Sequence, residues 1–284
     1  MKRISLAATI LALSLAAQAN MTPKVIYGDD NRADVYEVDR SDLRELADST
    51  VAMIPSAKMT ERNSIFTLKT KNFGADYNLC QSGEPYYNQP TAAMCSGFLV
   101  GDDMIATAGH CINESTCGSN SFVFGFKMNS ENQAVTEIPA SEVYRCKQVL
   151  VHDLTNNQDY ALVKLDRPVR GHRVLPLAKS VPAVGADIFV IGHPAGLPTK
   201  IAGGAKVRKH ERGYFVANLD TYGGNSGSAV FDARDLSVVG ILVRGEEDFE
   251  YSSEKQCRQS KRCEDGKCRG EDITNINYIA DAIK

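Results

Sequence analysis

The sequence predicts an all-β protein built from two halves of similar size. Short apolar runs separated by turn-forming residues begin near Ser64, and a second series begins after Asp166-Arg167-Pro168. Almost no stretch has a long helical period. Short strands at such intervals are typical of β-barrels and β-sandwiches. The strands are expected at residues 65–68, 93–100, 104–108, 122–126, 149–151 and 161–165, then at 188–191, 205–208, 214–218, 228–231 and 238–243.

Two short helices are expected outside these strands. Residues 42–47 have helical spacing, with Ser41 as the N-cap. Near the C-terminus, Ile276, Ile279, Ala280 and Ile283 recur at helical intervals. This pattern predicts a C-terminal helix that packs on the second half.

Length and composition are those of an ordinary globular protein. The 284 residues can form one large or two small cores, and 43% of them are hydrophobic and 24% charged. Lys and Arg number 32 against 35 Asp and Glu, so the formal net charge is −3. Without a basic surplus, the composition argues against a nucleic-acid partner.

The first 19 residues have the pattern of a secretory signal. Lys2 and Arg3 precede an apolar run from Ile4 to Ala17, which ends at the small-residue site Ala17-Gln18-Ala19. The run is shorter than the roughly 20 apolar residues that span a bilayer, and no later stretch is long and apolar enough. We therefore expect a secreted or periplasmic protein without a membrane span.

The rest of the chain divides into four segments. Residues 20–24 form a short propeptide that ends at Lys24, or alternatively a linker. Residues 25–63 are expected to be an N-terminal extension, 64–166 the first β unit and 167–284 the second, with the C-terminal helix. Within the second unit, residues 245–272 are rich in charge, turns and cysteine, which indicates a surface excursion held by disulfides.

Eight cysteines in an exported chain indicate disulfides. Cys257, Cys263 and Cys268 lie close together, but their spacing does not match the usual zinc signatures and no histidine is near. We therefore expect neither a metal nor a cofactor. Apart from Cys95 and Cys111, the cysteines form an early group of three and a late group of three. If all are paired, one or three disulfides must join the two groups. The early group is Cys80, Cys117 and Cys146, and the late group is Cys257, Cys263 and Cys268.

A glycine-flanked serine, Ser226, stands between two expected strands. Glycines on both sides allow a tight backbone with positive φ, which can lift one hydroxyl into a cleft and turn consecutive N–H groups toward one point. Ser226 would then be a nucleophile beside an oxyanion hole. The alternative is a glycine-rich hairpin whose serine satisfies its own turn.

A nucleophilic serine needs a base, and the base needs a group that orients it. Of the five histidines, His110 directly follows an expected strand, and a disulfide from the adjacent Cys111 to Cys95 would fix the imidazole. Asp159 stands at the start of the apolar strand 161–165. Buried against the imidazole, its carboxylate would accept one ring N–H and stabilise the imidazolium.

The motifs around these residues resemble those of chymotrypsin-fold (trypsin-like) serine proteases. The family's Ala-Gly-His-Cys is matched at 108–111, its Asp-x-Ala-Leu at 159–162 and its Gly-x-Ser-Gly at 224–227, in the family's order. Gly-Gly-Asn-Ser-Gly-Ser at 223–228 is most similar to the bacterial glutamyl-endopeptidase-like branch. The resemblance covers residues 64–284.

The resemblance implies two packed six-stranded antiparallel β-barrels with the active site in the crevice between them. It implies a secreted, monomeric serine endopeptidase that acts on proteins or peptides through an acyl-enzyme. His110, Asp159 and Ser226 would be the catalytic residues, and the N–H groups of Gly224 and Ser226 would hold the oxyanion. The alternative class is a binding protein that kept this fold without activity.

The resemblance points to four residues that set specificity: Asp220, Thr221, Leu242 and Gly245. Asp220 falls where trypsin-like members carry a pocket carboxylate, which favours Lys or Arg before the scissile bond. Its alternative role is a loop-stabilising cap. Leu242 replaces the pocket histidine of glutamyl enzymes, although cleavage after Glu or Asp stays open. Asn225 replaces the aspartate that pairs with a new N-terminus in trypsin-like zymogens.

Overall fold

The computed structural model describes residues 24–155, 157–264 and 266–284. The expected signal peptide, 1–19, and all but the last residue of the expected propeptide, 20–24, lie outside the described residues. No helix in the described ranges is long and apolar enough to cross a membrane.

The first half of the chain forms a closed six-stranded antiparallel barrel. The strand order around it is β4-β5-β6-β3-β2-β1, and β1 pairs with β4 to close it. Val51 to Ile54 in β1 are fully buried, which explains the continuous apolar run at this point of the sequence. The strands are β1 (Thr50–Pro55), β2 (Cys95–Gly101), β3 (Met104–Thr107), β4 (Asn120–Val123), β5 (Val143–Leu154) and β6 (Asp159–Leu165).

The second half forms another closed six-stranded antiparallel barrel. Its order is β7-β10-β11-β12-β9-β8, and β7 pairs with β8 to close it. One apolar cluster runs through both barrels, from Phe98 and Phe122 to Phe231 and Ile241, so the barrels pack on each other. The strands are β7 (Asp187–Gly192), β8 (Lys200–His210), β9 (Tyr214–Ala217), β10 (Ala229–Asp232), β11 (Val238–Arg244) and β12 (Glu271–Asn275).

The segment expected to be an extension, 25–63, contributes to both barrels. Thr50–Pro55 is β1 itself, and Arg32–Asp34 adds a strand to the edge of β8. The expected strand Ile65–Leu68 instead pairs in a separate three-stranded sheet with Met59–Arg62 and Glu137–Pro139. The first barrel therefore begins at residue 50 and not at 64, because the buried run 51–54 is needed to close it.

In the described ranges three helices flank the barrels: α1 (Ser41–Asp48), α2 (Phe73–Asp76) and α3 (Asn277–Ala282). Arg40 is the N-cap of α1, so Ser41 is its first residue and not its cap. In α3, Ile279 is fully buried and contributes to the cluster shared by both barrels. The expected C-terminal helix is present.

Short strands and turns complete the described chain. The expected excursion, 245–272, contains the hairpin Phe249–Ser252 with Cys257–Ser260. The other strands are Lys24–Tyr27, Lys71–Asn72, Pro90–Thr91, Met128–Ser130, Gln133–Ala134 and Arg262–Cys263. Short 3-10 turns lie at Val35–Glu37, Ser56–Lys58, Gly109–Cys111, Cys117–Ser119, Ala140–Glu142 and Pro194–Gly196.

All eight cysteines form disulfides. Cys95 bonds Cys111, Cys117 bonds Cys146, and Cys263 bonds Cys268. The fourth bond, Cys80 to Cys257, joins the segment after α2 to the hairpin of the second half. One bridge between the early and late groups satisfies the parity that the sequence requires.

Candidate active site

His110 and Asp159 meet where two paired strands of the first barrel end. β3 and β6 are antiparallel neighbours, so the turn after β3 lies beside the first residue of β6. His110 Nδ1 lies 2.8 Å from Asp159 Oδ2, and the His110 N–H donates to Asp159 Oδ1 at 3.1 Å. Burial alone would raise the pKa of the Asp159 carboxyl, but its contacts with His110 outweigh this and hold the pKa below its usual value. The carboxylate thus stays ionised against the imidazole.

Ser226 lies across the crevice, in the loop before β10 of the second barrel. Its carbonyl oxygen accepts from Ser96 N at 2.8 Å and lies 3.6 Å from Cys111 Sγ. A ring nitrogen of His110 lies within 4.8 Å of the same sulfur. Ser226 and His110 therefore flank one disulfide. In the described chain the Ser226 hydroxyl donates to Val243 O, at a long 3.4 Å, and must turn to reach an imidazole nitrogen.

The backbone N–H groups of Gly224 and Ser226 donate to no acceptor among the described residues. Asn225, between them, uses its own N–H in a turn to Tyr222 O at 3.0 Å. Gly224 has a φ of +89°, which a residue with a side chain rarely adopts. This backbone leaves two neighbouring N–H donors ready for an oxygen that carries negative charge.

The loop that carries these donors is held by buried polar contacts. The Ser96 hydroxyl donates to Gly224 O at 2.9 Å and accepts from His193 N at 3.0 Å. Asn225 Oδ1 accepts from the Ser228 hydroxyl at 3.2 Å. The loop is thus fixed without an ion pair at Asn225.

A cavity of about 310 Å³ opens beside Ser226. Three of the residues expected to set specificity, Thr221, Leu242 and Gly245, line this primary cavity together with Ser226. Leu242 is buried and offers an apolar wall. That these three residues set specificity stays a prediction.

Asp220 does not line the primary cavity. Its carboxylate accepts from Tyr27 N at 2.7 Å and Asn31 N at 2.9 Å, and its side chain is buried. Burial raises the pKa of Asp220 to about 7, although these two N–H groups lower it in part. The interpretation of Asp220 as a pocket carboxylate is corrected, since its oxygens hold the N-terminal segment.

Glu271, the first residue of β12, is the buried carboxyl of the primary cavity. Thr221 Oγ1 donates to Glu271 Oε2 at 2.8 Å, and burial raises the pKa of Glu271 to about 8. Sequence reasoning missed Glu271 because it stands at the end of the charge-rich stretch 245–272. One signal could have shown that Glu271 lies in a strand: the apolar residue Ile273 follows it two positions later.

The primary cavity carries more acidic than basic groups. Asp248 Oδ2 accepts from Gly223 N at 2.8 Å, and burial raises the pKa of Asp248 to about 6. Two guanidinium groups also line the primary cavity. One of them, that of Arg244, is paired with Asp272, since Arg244 Nε donates to Asp272 Oδ2 at 2.9 Å. The carboxyl groups are Glu246, Glu247, Asp248 and Glu271, and the guanidiniums are Arg244 and Arg258.

The family model of the trypsin-like peptidase domain matches residues 95–241, which is more than half of the chain and includes His110, Asp159 and Ser226. The chain belongs to the trypsin-like peptidase family.

Two curated relatives agree with this assignment. The chain is 28% identical to the glutamyl endopeptidase of Bacillus licheniformis over 49% of its own length and 45% of that protein, and 27% identical to trypsin of Sarcophaga bullata over 38% and 42%. It thus spans less than half the length of these curated relatives. The structure of neuropsin, a serine protease of mouse brain, superposes with a TM-score of 0.51 at 16% identity, over 84% of this chain and 96% of that one. This last likeness supports the fold.

In this trypsin-like peptidase three other histidines have side-chain partners other than Ser226. His193 is buried, stacks on Phe126 and bonds Leu197 O through Nδ1 at 3.0 Å, and burial lowers its pKa to about 4. His152 bonds Gly109 O, and His172 bonds Glu142.

One group in the described residues brings three metal-ligating side chains together: Cys95, His110 and Cys111. The two sulfurs are joined to each other and are not free thiolates. This donor set does not fit a metal.

Proposed function

We propose that this trypsin-like peptidase is an exported serine endopeptidase in which Ser226, His110 and Asp159 do the chemistry. The observation that carries the proposal is the pair of His110 Nδ1 and Asp159 Oδ2, 2.8 Å apart, beside Ser226. In the described chain the backbone N–H groups of Ser226 and Gly224 have no acceptor, so both are available to an oxyanion. The secretory pattern of residues 1–19 and four disulfides support export. Its substrates would be proteins or peptides.

The reaction follows from this arrangement. Asp159 holds Nδ1 of His110, which leaves Nε2 to accept the proton of the Ser226 hydroxyl as Oγ attacks the scissile carbonyl. The N–H groups of Gly224 and Ser226 bind the oxyanion that forms. His110 then gives the proton to the leaving amine, and water deprotonated by His110 hydrolyses the acyl-enzyme.

Two measurements test the catalytic assignment. A fluorophosphonate probe should label the wild-type protein at Ser226, and Ser226→Ala should lose labelling and about a million-fold in peptide hydrolysis. A folded and processed wild-type protein that the probe does not label would support the alternative, a binding protein with this fold. Wild-type turnover by Ser226→Ala would contradict the role of Ser226.

We further propose that the enzyme cleaves after Lys or Arg, with Glu271 as the counter-charge. The buried carboxyl of Glu271 accepts a side-chain hydrogen bond from the Thr221 hydroxyl. A substrate cation that reached it would form a charge-assisted hydrogen bond, which is stronger away from water than at the surface. The acidic balance of the primary cavity supports the same preference.

Cleavage after Glu or Asp is the second candidate. The guanidiniums of Arg244 and Arg258 line the primary cavity, and one similar protein is named glutamyl endopeptidase. A panel of peptides that differ only in the residue before the cut decides between the two. A Glu preference would exclude Glu271 as the counter-charge for substrate.

A further inference from the structure

A second cavity, of about 250 Å³, lies beside the loop of residues 223–226 that carries Ser226. Its wall includes Ala195, whose N–H donates to Gly223 O, and Tyr77, whose hydroxyl donates to Ala195 O at 3.3 Å. Tyr77 lines the primary cavity as well. The two cavities therefore meet at one side chain, beside the donors of Gly224 and Ser226.

The charge of this second cavity is basic. Lys58, Lys69 and Lys71 line it, with Asp76 as its carboxylate. Lys71 Nζ lies 2.6 Å from Asp76 Oδ1 and is neutralised by it. Within the described ranges Lys58 and Lys69 form no ion pair, and both are exposed. We call these two residues the lysine pair.

The fold holds the lysine pair together. Lys58 precedes the strand Met59–Arg62, and Lys69 follows its hairpin partner Ile65–Leu68, so the two residues stand at the open end of one hairpin. The N–H of Lys69 donates to Lys58 O at 2.8 Å. Two cations on adjacent backbone positions repel each other, and an anion between them relieves that repulsion.

The contacts of Ser226 indicate that the second cavity lies where the substrate residues after the scissile bond would bind. The Ser226 hydroxyl donates to the carbonyl oxygen of Val243, which lines the primary cavity, whereas the Ser226 carbonyl oxygen accepts from Ser96 N. A peptide whose side chain before the cut fills the primary cavity would continue past Ser226 toward Ser96. Beyond Ser96 comes Ala93, which lines the second cavity.

We propose that the lysine pair selects substrates with Asp or Glu in the first few positions after the scissile bond. This rests on the endopeptidase function proposed above. The enzyme then reads a charge pattern, a basic residue before the cut and acidic residues after it, with cavities of opposite charge side by side.

The test uses quenched-fluorescence peptides with Arg before the cut, amidated C-termini and Glu, Gln or Lys in the positions after it. Wild-type kcat/KM should be about 3- to 10-fold higher for Glu than for Gln, and lower again for Lys, as expected for exposed charge pairs. The preference should shrink as salt is added. The double variant Lys58→Glu/Lys69→Glu should reverse the order, while the charge-matched control Lys179→Glu, on an exposed residue outside both cavities, should keep it.

Two results would overturn the proposal: equal rates on the three wild-type peptides, or a Glu preference that survives the double variant. If no peptide is cleaved, the endopeptidase function fails separately. In that case binding of the Glu peptide to Ser226→Ala, measured by fluorescence anisotropy, decides the matter. Binding that the double variant weakens supports the lysine pair, and binding that it leaves unchanged excludes it.

Discussion

The carboxylate of Glu271 lies against Gly245 so closely that a Cβ on Gly245 would stand 1.8 Å from Glu271 Oε2. No real pair of atoms tolerates that distance without a shift. The absence of a side chain at 245 is therefore what allows the buried carboxyl to occupy the primary cavity.

The first prediction concerns Gly245→Ala. The new methyl group displaces the Glu271 carboxylate, so kcat/KM on an Arg peptide should fall about tenfold or more relative to a matched peptide with an uncharged residue before the cut. Labelling by a fluorophosphonate should continue, since Ser226 and His110 keep their contacts. The control is Gly203→Ala in β8, where a Cβ meets nothing within 4 Å and where both peptides should keep their wild-type rates.

The second prediction concerns the charge of Glu271 itself. Glu271→Gln should lower kcat/KM on the Arg peptide by about 10- to 100-fold, the range expected for a lost hydrogen bond between charged groups. Glu247→Gln, at an exposed carboxyl of the same cavity, should change it less than about threefold. An equal effect of both variants would argue against a special role for Glu271.

The pH profile gives an independent measure of the same group. With a pKa of about 8 in the empty cavity, Glu271 is largely protonated at neutral pH and must ionise to pair with Arg. The ratio of kcat/KM for the Arg peptide to that for the uncharged peptide should therefore rise with pH through about 8. Groups that act equally on both peptides cancel in this ratio. In Glu271→Gln the ratio should be flat.

The third prediction concerns stability. Burial raises the pKa of Asp220 from 3.8 to about 7, so the folded state holds its proton more tightly than the unfolded chain does. As pH rises from about 4 to 7, the unfolded state loses this proton first, and the free energy of unfolding should fall by on the order of 3 kcal/mol. Asp220→Asn should remove this part of the pH slope. Denaturant unfolding at pH 4.5 and pH 8 measures it, and an unchanged slope would contradict the raised pKa.

The fourth prediction concerns Ser96, whose hydroxyl holds the loop of residues 223–226. Ser96→Ala leaves the Gly224 carbonyl and the His193 N–H without this partner, so kcat should fall about tenfold or more while KM changes little. The control is Ser56→Ala, which removes a hydroxyl that pairs with Ser121 at 2.9 Å, away from the site. Both variants should lose about 1 kcal/mol of stability. If Ser96→Ala and Ser56→Ala had similar kcat values, Ser96 would contribute only to stability.

The sequence was informative where a short local motif places a candidate residue. His110 lies in the turn after β3, Asp159 begins β6 and Ser226 lies in the loop before β10. Their catalytic roles stay predictions. The two-barrel fold followed from the resemblance that these motifs carry. The fold is confirmed, down to the C-terminal helix.

The sequence was less informative where the outcome depends on distant partners. By its position in the sequence, Asp220 matches the pocket carboxylate of trypsin-like proteases. In the structure its carboxylate instead accepts from the backbone N–H groups of Tyr27 and Asn31, which lie some 190 residues away in the sequence. The run 51–54 has the composition of a buried strand, yet its place in the barrel depends on pairing with β4, whose residues lie far along the chain. Long-range pairing of this kind is not encoded in any short window.

The disulfide between Cys80 and Cys257 closes a covalent ring over a separation of 177 residues, and His110, Asp159 and Ser226 all lie inside it. A single cut within the ring opens it but releases no fragment. This includes a cut after Lys255, which stands in an exposed turn. A molecule nicked once inside this ring thus keeps both barrels in one covalent piece. Its fragments separate on a gel only after reduction.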